Sequence, residues 1–428
     1  MSEQVKPGYK QTEVGVIPDD WDVGCVGNAF EVCDQLRFPI SQSVRERISG
    51  SYPYYGPTGV QGWINEFRVE GKYALIGEDG DHFLKWNRQS MTLLVRGQFN
   101  VNNHAHIIRG TKNLTEWFYW YFSNRDITPY LKRQGAGRYK LTKAVLLQLP
   151  CAVPPFPEQE AIAEALSDAD ALIAALEQLI AKKRRLKQGA MQALLTGQQR
   201  LPGFEVKPGY KQTEVGLIPV DWESSSLSSI ISSLDAGVSV NSVELDRDNF
   251  AHEESILKTS CVAGGFFFPG ERKKIIPIDR YRAKLNPRKD SIIISRMNTP
   301  SLVGESGYIA QDYPYLFLPD RLWLTRHEGR KPTNIRWLAY ILSFSCYSRM
   351  IKESATGTSE SMKNISKSSL LSVLIPFPTK AEQEAIATIL SDMDTEIATL
   401  EAKLGKARQI KQGMMQELLT GKIRLMEN

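Results

Sequence analysis

The amino-acid sequence predicts an α+β protein in which one unit is used twice, each unit containing a mostly-β globular region with flanking helices and one long helix. A stretch of about 40 residues, Glu158–Gly197, returns as Glu382–Gly421 at a constant offset of 224 residues without a gap. A shorter segment, Val5–Trp21, returns as Val206–Trp222. Runs rich in β-branched and aromatic residues, separated by Gly and Pro, fill the intervening regions. Internal repetition of this kind indicates the overall architecture more strongly than any local motif does.

Both copies of the longer stretch are predicted to be single helices of roughly 60 Å, because each residue adds about 1.5 Å. Their apolar residues follow the 4-3 spacing of a coiled coil. The first copy carries Ile162, Leu166, Ala169, Ile173, Leu176, Ile180, Ala190 and Leu194 on this seam. The second copy carries Ile386, Leu390, Met393, Ile397, Leu400, Leu404, Ala407, Met414 and Leu418.

A helix with such a narrow apolar stripe needs a partner, and the other copy is the obvious one. Lys183 and Lys187 interrupt the first seam, so packing there is expected to loosen or turn wet. Heptads are also common in purely structural coiled coils, and by themselves they indicate no chemistry.

Composition favours a globular protein of two to four domains, since the chain has 428 residues and a net charge of +5. That charge is compatible with a polyanionic partner without requiring one. The five cysteines are scattered and show no zinc-site spacing, which is typical of reduced thiols. The chain shows no apolar run of membrane-spanning length and no secretory leader, so a cytoplasmic location is expected.

The repeated shorter segment, called the leading segment below, is predicted to be an ordered extended strip because its Pro and Gly residues exclude a helix. In the second unit it follows the first long helix directly. By analogy, Val5–Trp21 is expected to dock without a covalent link near Leu425, where the second long helix ends. The two units would then close into a ring.

Each globular region is expected to combine short strands with one helix and one polar loop. In the first region, from about Trp21 to Pro150, the helix is Leu114–Lys132 and the loop is Gln134–Leu141. In the second, from about Trp222 to Pro378, the helix is Asn334–Lys352 and the loop is Thr356–Ile365. Trp117 and Trp337 lie at matching points of the two helices.

The two halves of the chain are nearly identical in their helices and leading segments but strongly different in their globular regions. A symmetrical frame, formed by the long helices and the leading segments, here carries two different globular regions, or heads. This arrangement suits recognition of a split, non-palindromic DNA sequence, whereas two identical heads would recognise a palindrome. A coiled-coil scaffold that joins proteins, and binds DNA only non-specifically, would also fit.

The sequence resembles the specificity (S) subunits of type I restriction-modification enzymes over essentially its whole length. The resemblance rests on the doubled architecture, on EQEAIA before each long helix and LLTG after it, and on phrases inside the globular regions. In the first region these are YYGPTGVQGWI, LIGEDG and NNHAHII, and in the second they are SRMNTPSLVGESGYI and DRLWLTR.

The resemblance implies two target recognition domains, each reading one half of a bipartite asymmetric DNA site, and two antiparallel coiled-coil helices that separate them and set the spacer. It divides the chain into a first recognition domain with its leading segment (1–153), a central long helix (154–201), a second recognition domain with its leading segment (202–378) and a C-terminal long helix (379–428). The implied partners are double-stranded DNA, two modification (methyltransferase) subunits that bind S-adenosylmethionine, and restriction subunits that use ATP and Mg²⁺.

No catalytic motif contradicts a non-catalytic role, since the sequence has no phosphate-binding GxxxxGK[ST] loop and no Asn- or Asp-Pro-Pro-aromatic motif. A metal site could be imagined from Glu78, Asp79, Asp81, His82, His104 and His106. Without regular ligand spacing, a turn between strands with packed or hydrogen-bonded histidines is the better interpretation. A free-standing nuclease is therefore the weakest alternative.

Affinity for duplex DNA comes mainly from Lys and Arg on phosphates, and sequence is read at base edges. In the first region the candidates are Arg88, Arg96, Asn103, His104, Arg138, Tyr139 and Lys140. The loop that holds Arg138 is the strongest, because Gly135 and Gly137 allow close approach to a phosphate. Arg138 and Lys140 could equally be solvated loop charges, and Tyr54 and Tyr55 fit the core better than a DNA surface.

In the second region the candidates are Lys258, Ser260, Arg272, Lys273, Lys274, Arg296, Asn298 and Lys363. Arg272, Lys273 and Lys274 could clamp a phosphate, and Arg296 and Asn298 have the side chains that pair with guanine and adenine. Basic residues also run along the helices, where they could face either DNA, solvent or a partner: Lys182, Lys183, Arg184, Arg185, Lys187, Lys406, Arg408 and Lys411.

Overall fold

The computed structural model describes residues 5–134, 138–204, 207–244, 253–357 and 362–426. Of Lys132–Gln134 and Arg138 it describes the backbone alone. The chain divides into two units, and the division falls inside both long helices. Unit 1 contains residues 1–178 and 401–428, and unit 2 contains residues 179–400.

Unit 1 begins with a hairpin and continues as a mixed sheet with short helices. Its strands are β1 Tyr9–Thr12, β2 Gly15–Pro18, β3 Asp22–Cys25, β4 Phe30–Val32, β5 Ser49–Gly56, β6 Gly59–Ile64, β7 Val69–Gly77, β8 Thr92–Val101, β9 Ala105–Gly110, β10 Lys132–Gln134, β11 Arg138–Lys140 and β12 Pro150–Val153. Its helices are α1 Val26–Ala29, α2 Gln42–Arg47, α3 Thr115–Ser123, α4 Lys143–Gln148 and the first part of α5 Phe156–Leu195, with 3₁₀ turns at Asp34–Leu36, Asp81–Lys85 and Thr128–Tyr130.

Unit 2 follows the same order at its two ends and differs in between. Its strands are β13 Tyr210–Thr213, β14 Gly216–Pro219, β15 Glu223–Ser226, β16 Ser233–Ala236, β17 Ser242–Val243, β18 Ser255–Leu257, β19 Val262–Ala263, β20 Phe266–Phe267, β21 Arg272–Ile275, β22 Ser291–Ser295, β23 Met297–Asn298, β24 Ser306–Ile309, β25 Leu316–Phe317, β26 Leu322–Arg326, β27 Lys363–Asn364 and β28 Leu374–Phe377. Its helices are α6 Ile335–Ser343, α7 Ser345–Glu353, α8 Lys367–Leu371 and the first part of α9 Lys380–Leu418, with 3₁₀ turns at Leu227–Ser229, Thr259–Cys261 and Pro277–Arg282.

The sheets confirm that both globular regions are mostly β, and they show how far the two have diverged. Unit 1 has one six-stranded sheet in the order β4-β9-β7-β8-β5-β6, in which only the β5–β8 pair is parallel. Unit 2 has two four-stranded sheets, β16-β26-β22-β24 and β17-β21-β18-β25. In both units the strand after the leading hairpin pairs with the strand before a long helix, as β3 with β12 and β15 with β28.

Two predicted helices are shorter than the sequence suggested. The helix predicted for Leu114–Lys132 ends at Ser123, because Asp126 accepts hydrogen bonds from the backbone and hydroxyl of Thr128 and stabilises a turn instead. The helix predicted for Asn334–Lys352 is two helices, broken at Phe344, whose backbone is extended (φ −65°, ψ 132°). The loop predicted for Gln134–Leu141 includes the strand β11.

The long helices match their prediction within two or three residues at each end. Their seams are buried toward the helix ends and half-buried over much of the middle. In unit 1, Ile162 and Leu166 of α5 share a core with Leu418 of α9. In unit 2, Leu194 of α5 shares a core with Ile386 and Leu390 of α9. In unit 1, therefore, the C-terminal part of α9 packs on the N-terminal part of α5. In unit 2, the C-terminal part of α5 packs on the N-terminal part of α9.

Ion pairs replace the apolar seam where lysines interrupt it. In unit 2, Lys187 Nζ lies 2.5 Å from Asp394 and Lys183 Nζ lies 2.6 Å from Glu396. In unit 1, Lys411 pairs with Asp170 at 2.5 Å and Arg408 with Glu177 at 2.6 Å. In both units, as the residue number rises along α5, the number of its partner on α9 falls, so the two helix segments are antiparallel. At Lys183 and Lys187 the seam is polar, as expected, but salt bridges hold the two helix segments together instead of loosening their packing.

A buried joint holds each leading segment to a long helix. In unit 1, Glu158 at the start of α5 accepts a hydrogen bond from Trp21 Nε1 (2.8 Å) and two from Arg424 (2.6 and 2.8 Å). Arg424 also donates to both carboxylate oxygens of Asp20 at 2.9 and 2.7 Å. These contacts confirm that the first leading segment docks, without a covalent link, beyond the end of α9.

Unit 2 repeats the joint with its own residues. Glu382 accepts from Trp222 Nε1 (2.9 Å) and from Arg200 (2.8 and 3.0 Å), while Arg200 also binds both oxygens of Asp221. The glutamine after each glutamate accepts from the backbone N–H just before α3 or α6, as Gln159 does from Leu114 and Gln383 from Asn334. The repeated phrase EQEAIA is therefore an anchor for the leading segment and for the domain helix.

Glycine ends each long helix because a proline of the leading segment occupies the space of a side chain. A Cβ on Gly421 (φ +68°) would lie 2.5 Å from Cδ of Pro18, and a Cβ on Gly197 (φ +73°) would lie 2.6 Å from Cδ of Pro219.

Gly421→Ala is expected to destabilise the protein by about 2 kcal/mol, because it adds strain at a positive φ and a clash with Pro18. Gly405→Ala is the control, since Gly405 lies within α9 and a Cβ there meets nothing within 4 Å. The control is expected to stabilise by up to about 1 kcal/mol. Chemical denaturation of both variants measures the difference, and an equal effect of the two would contradict this account of the joint.

All five cysteines fall within the described ranges and are free thiols. Across those ranges, no helix is both long enough and apolar enough to span a lipid bilayer.

Candidate nucleic-acid interface

Four of the predicted contact residues of unit 1 meet at one edge of its sheet. Asn103 and His104 form the turn between β8 and β9, and His104 Nδ1 lies 3.0 Å from Asp79 Oδ2. Strand β11 reaches the same turn, because Asp79 forms a bridge with Lys140 and Gly80 N–H donates to the carbonyl of Tyr139 at 3.3 Å. Asn103 and His104 are exposed, and Lys140 is half-buried.

Glu78 organises this edge, although the sequence suggested it only as a turn residue. Its carboxylate lies 3.4 Å from Lys140 Nζ and 2.9 Å from Arg37 NH1. Arg37 also pairs with Asp34 at 3.0 Å. Sequence reasoning missed Arg37 and Asp34, because they follow β4 and meet β9 only through the long-range pairing of these strands.

Asp34 is held ionised beneath this edge. Burial works to raise the pKa of its carboxyl, but the hydrogen bond with His106 and the charges of His106 and Arg37 outweigh burial, so the pKa lies below its usual value. The Asp34 carboxylate pairs with Arg37, and Arg37 also donates to the carbonyl of Asn103 at 3.4 Å. The turn that carries Asn103 and His104 is thus positioned from below by charge-assisted hydrogen bonds.

Arg88 and Arg96 lie away from this group. Arg88 is exposed in the turn after the 3₁₀ helix Asp81–Lys85 and forms no ion pair within the described part of the chain. Arg96 points from β8 toward α3, where it shares Oε1 of Glu116 with Lys72 at 3.1 and 2.5 Å. Arg96 therefore lies apart from the edge that carries Asn103, His104 and Lys140.

The glycines on which the sequence argument for Arg138 rested, Gly135 and Gly137, lie outside the described residues. Arg138 forms a backbone pair with Gln134 at the start of β11, and its side chain is also outside the described part. Tyr54, by contrast, is completely buried and donates to the carbonyl of Phe38 at 2.7 Å, which confirms it as a core residue.

The predicted phosphate clamp of unit 2 is a cluster of lysines and glutamates on neighbouring strands. Glu244 lies 3.1 Å from Lys258 Nζ and 2.8 Å from Lys273 Nζ. Strand β21, which carries Arg272, Lys273 and Lys274, pairs with β18, which Lys258 follows directly. The structure thus brings Lys258 and Lys273 to one carboxylate, and the other three predicted residues lie on or beside the same pair of strands: Ser260, Arg272 and Lys274.

Acidic partners hold most of this cluster. Lys274 pairs with Glu253 at 2.6 Å, and the Ser260 hydroxyl donates to Glu271 at 2.6 Å. The lysine contacts are surface ion pairs whose acidic partners are exposed or half-buried, and such pairs contribute little to stability. A phosphate can therefore replace the carboxylates at little cost.

The remaining three predicted residues of unit 2 form a second, smaller group. Asn298 pairs with Lys363 across the strands β23 and β27, and Arg296 precedes β23. The Asn298 side chain stabilises its own turn, accepting from Thr299 N–H (2.9 Å) and donating to Ser295 (3.2 Å). The Arg296 guanidinium lies 5.8 Å from the ring centre of Trp323. The side chains of Arg296 and Asn298 are half-buried, so each exposes only part of its polar group.

The imagined metal site of unit 1 has hydrogen-bonded and packed histidines. His106 is buried and uses Nε2 in a 2.8 Å hydrogen bond with the carbonyl of Leu141. His82 packs on Phe83 with ring centres 4.1 Å apart, and burial lowers the pKa of its imidazole. In the ranges that the structure describes, no three His, Cys, Asp or Glu side chains are arranged to hold a metal ion.

Comparison with known proteins agrees with the doubled fold. The family model for the type I restriction modification DNA specificity domain matches residues 18–184 and again residues 219–411. The type I restriction enzyme MjaVIII specificity subunit of Methanocaldococcus jannaschii is 25% identical over 418 residues, which is 96% of this chain and 94% of that protein. The putative type I restriction enzyme MjaX specificity subunit of the same organism is 25% identical over 448 residues, or 97% of both chains.

A solved structure shows the same fold over almost the whole chain. The crystal structure of the type I restriction-modification system S subunit from M. genitalium superposes with a TM-score of 0.61 at 14% identity, and the match covers 96% of this chain and 98% of that one. The two family matches span most of the sequence and fall on the two units in turn. The chain therefore belongs to the type I restriction-modification DNA specificity family.

Proposed function

We propose that this chain is the DNA sequence-recognition subunit of a type I restriction-modification complex, and that each unit reads one half of a bipartite, asymmetric site. The observation that supports this most directly is the contrast between frame and heads. The joint of Trp, Glu, Arg and Asp is built twice with the same contacts, whereas the sheets and polar clusters that it supports differ. Two unlike heads on one repeated frame suit two unlike half-sites.

In unit 1 the proposed contact surface is the edge formed by Asn103, His104, Tyr139 and Lys140. Lys140 would bind a phosphate, and the exposed Asn103 and His104 would face base edges in the major groove. In unit 2 the lysine cluster around Glu244 would track the backbone, while Arg296, Asn298 and Lys363 would approach the bases. Ion pairs with surface carboxylates keep the lysines positioned until phosphates replace those carboxylates.

The long helices would act as a ruler between the half-sites and as the docking surface for two modification subunits. The chain itself would catalyse nothing. In this proposal S-adenosylmethionine belongs to the modification subunits, which flip the target adenine out of the duplex, and ATP and Mg²⁺ belong to the restriction subunits. The complex would work in the cytoplasm, where its DNA is.

The competing function is a coiled-coil scaffold that binds DNA only through its basic surface. The two are separated by a salt titration of the chain, co-expressed with its modification subunit, on a pool of unrelated duplexes. Sequence recognition predicts that a small subset of duplexes stays bound at about 200 mM salt while the rest dissociate. Uniform loss of all duplexes over the same range would favour the scaffold.

Lys140→Ala is expected to weaken binding to the cognate duplex by about 1 kcal/mol and to lower the slope of log affinity against log salt by about one, because one phosphate contact is lost. Arg96→Ala is the comparison, since Arg96 faces Glu116 of α3 and lies away from the edge that carries Lys140. It is expected to leave the slope unchanged. Fluorescence anisotropy at several salt concentrations measures both slopes, and a larger change for Arg96→Ala would contradict the assignment of this edge.

A further inference from the structure

The two units contain matching grooves between a domain helix and a long helix. In unit 2 the groove lies between α6 and the two long helices, and its floor is Lys187, which pairs with Asp394 at 2.5 Å and lies 5.3 Å from the ring centre of Tyr340. In unit 1 the equivalent floor is Lys411, which pairs with Asp170 at 2.5 Å and lies 5.0 Å from the ring centre of Trp120.

These residues correspond one to one. The offset of 224 residues that relates the long helices relates Lys187 to Lys411 and Asp170 to Asp394. Trp117 and Trp337, both completely buried, fix the alignment of α3 with α6 and so place Trp120 opposite Tyr340. Each groove therefore has an ammonium group that is clamped by an aspartate and stacked against a buried aromatic ring.

The grooves differ in what occupies them. In unit 2 the aromatic side chain of Phe266, the first residue of β20, covers the lysine, with its ring centre 5.2 Å from Lys187 Nζ. The remaining cavity is about 110 Å³. In unit 1 none of the described side chains takes this place, and a cavity of about 640 Å³ remains.

The walls of the open cavity suit a flat apolar ring. They include Trp86, Trp120, Tyr121 and Leu419, with Arg125 stacked 4.1 Å from the ring centre of Tyr121. Aromatic rings gain from edge or face contacts with each other and from a cation above the ring. Trp120 is 2% exposed, and its indole Nε1 has no hydrogen-bond partner among the residues that the structure describes.

We propose that this cavity receives an aromatic side chain of the modification subunit, which takes in unit 1 the place that Phe266 takes in unit 2. The identity of the partner rests on the proposed function, whereas the chemistry of the site rests on the comparison of the two grooves. The occupant is expected to be an uncharged ring, because the side chain that covers the equivalent lysine of unit 2 is Phe266 and because Lys411 and Arg408 already pair with Asp170 and Glu177. Only one of the two grooves is open, so this contact would be made once per chain.

The site is tested first on the full chain alone, with N-acetyl-phenylalanine methylamide as the probe and the leucine analogue as its control. Saturable binding of about one phenylalanine probe per chain is expected in ligand-observed NMR. Gln416→Trp, which places a ring at the exposed mouth of the cavity, is expected to weaken binding at least about tenfold. Gln192→Trp, the matched position on α5, is expected to change it by less than about twofold.

Phe266→Ala provides an independent check, because it empties the groove of unit 2. The 45% exposed side chain can be removed without opening the core, and the variant is expected to bind a second equivalent of probe. Equal binding to the wild type and Gln416→Trp, no saturable binding to the wild type, or binding of a nucleoside in preference to the phenylalanine probe would each overturn the inference about the site.

The partner is tested with the same two tryptophan variants in complexes with the co-expressed modification subunit. Gln416→Trp is expected to weaken association at least about tenfold and Gln192→Trp less than about twofold. A photoreactive phenylalanine at Asn124, on the exposed rim, is expected to cross-link beside an aromatic residue of that subunit. If the probe binds but the two variants associate alike, the partner is wrong. If the wild-type chain does not associate at all, the proposed function fails as well.

Discussion

Removal of residues 175–181 from α5 together with residues 399–405 from α9 is expected to shorten the spacer of the recognised DNA site by about three base pairs. Seven residues are two helical turns and about 10 Å of helix, and consecutive base pairs are about 3.4 Å apart. The two deletions are related by the repeat offset of 224 residues. Each removes a whole heptad, so the seams stay in phase.

Selection of bound duplexes from libraries with different gaps measures this shift. The half-site sequences should not change, because the deletion touches neither polar cluster. A deletion of seven residues from α5 alone is the control, and it is expected to impair folding because the facing seams fall out of register. An unchanged spacer in the doubly shortened chain would show that the helices are not the ruler.

Arg424→Ala is expected to destabilise unit 1 by about 2 to 4 kcal/mol. The guanidinium makes bidentate contacts to Glu158, whose side chain is only 2% exposed, and to Asp20. Its removal leaves the Glu158 carboxylate buried with Trp21 as its remaining donor, and an unpaired buried charge is the expensive outcome of breaking such a pair. Denaturant unfolding measures the loss of stability.

Arg200→Ala is the matched control, since Arg200 makes the same contacts to Glu382 and Asp221 in unit 2. The difference is connectivity, because Arg424 and Asp20 are 404 residues apart in the chain whereas Arg200 and Asp221 are 21 apart. Hydrogen exchange is therefore expected to show a larger loss of protection at Tyr9–Pro18 in Arg424→Ala than at Tyr210–Pro219 in Arg200→Ala. Equal losses would mean that the joint does not retain the first leading segment.

The long helices and the leading segments can be predicted from the sequence because each occurs twice, so one copy can be compared with the other. The seam spacing predicts α5 and α9 within two or three residues at each end, and the position of the second leading segment predicts where the first one docks. The pairing of Arg424 with Glu158 and Asp20 could also have been found, since Arg200 and Asp221 lie at the equivalent positions. Local sequence predicts these elements well because propensity, period and capping agree.

The heads are harder to predict because long-range contacts decide them. Nothing near Phe344 in the sequence predicts the break between α6 and α7. Lys183 and Lys187 interrupt a seam in sequence, but the carboxylates that accept them lie on another helix. Arg37 lies far in sequence from Glu78, and only the pairing of β4, β9 and β7 brings them together. Sequence reasoning identified the residue types at the candidate interface but not which of them come together, since Arg96 faces Glu116 of α3 rather than the edge that carries Lys140.

The central claim is that two unlike heads read one split DNA sequence. The most direct test is selection from a randomised duplex library by the chain co-expressed with its modification subunit, followed by sequencing of the bound fraction. The account predicts two different short motifs separated by a gap of constant length. Enrichment of a palindrome, of a single uninterrupted motif or of no motif would contradict it.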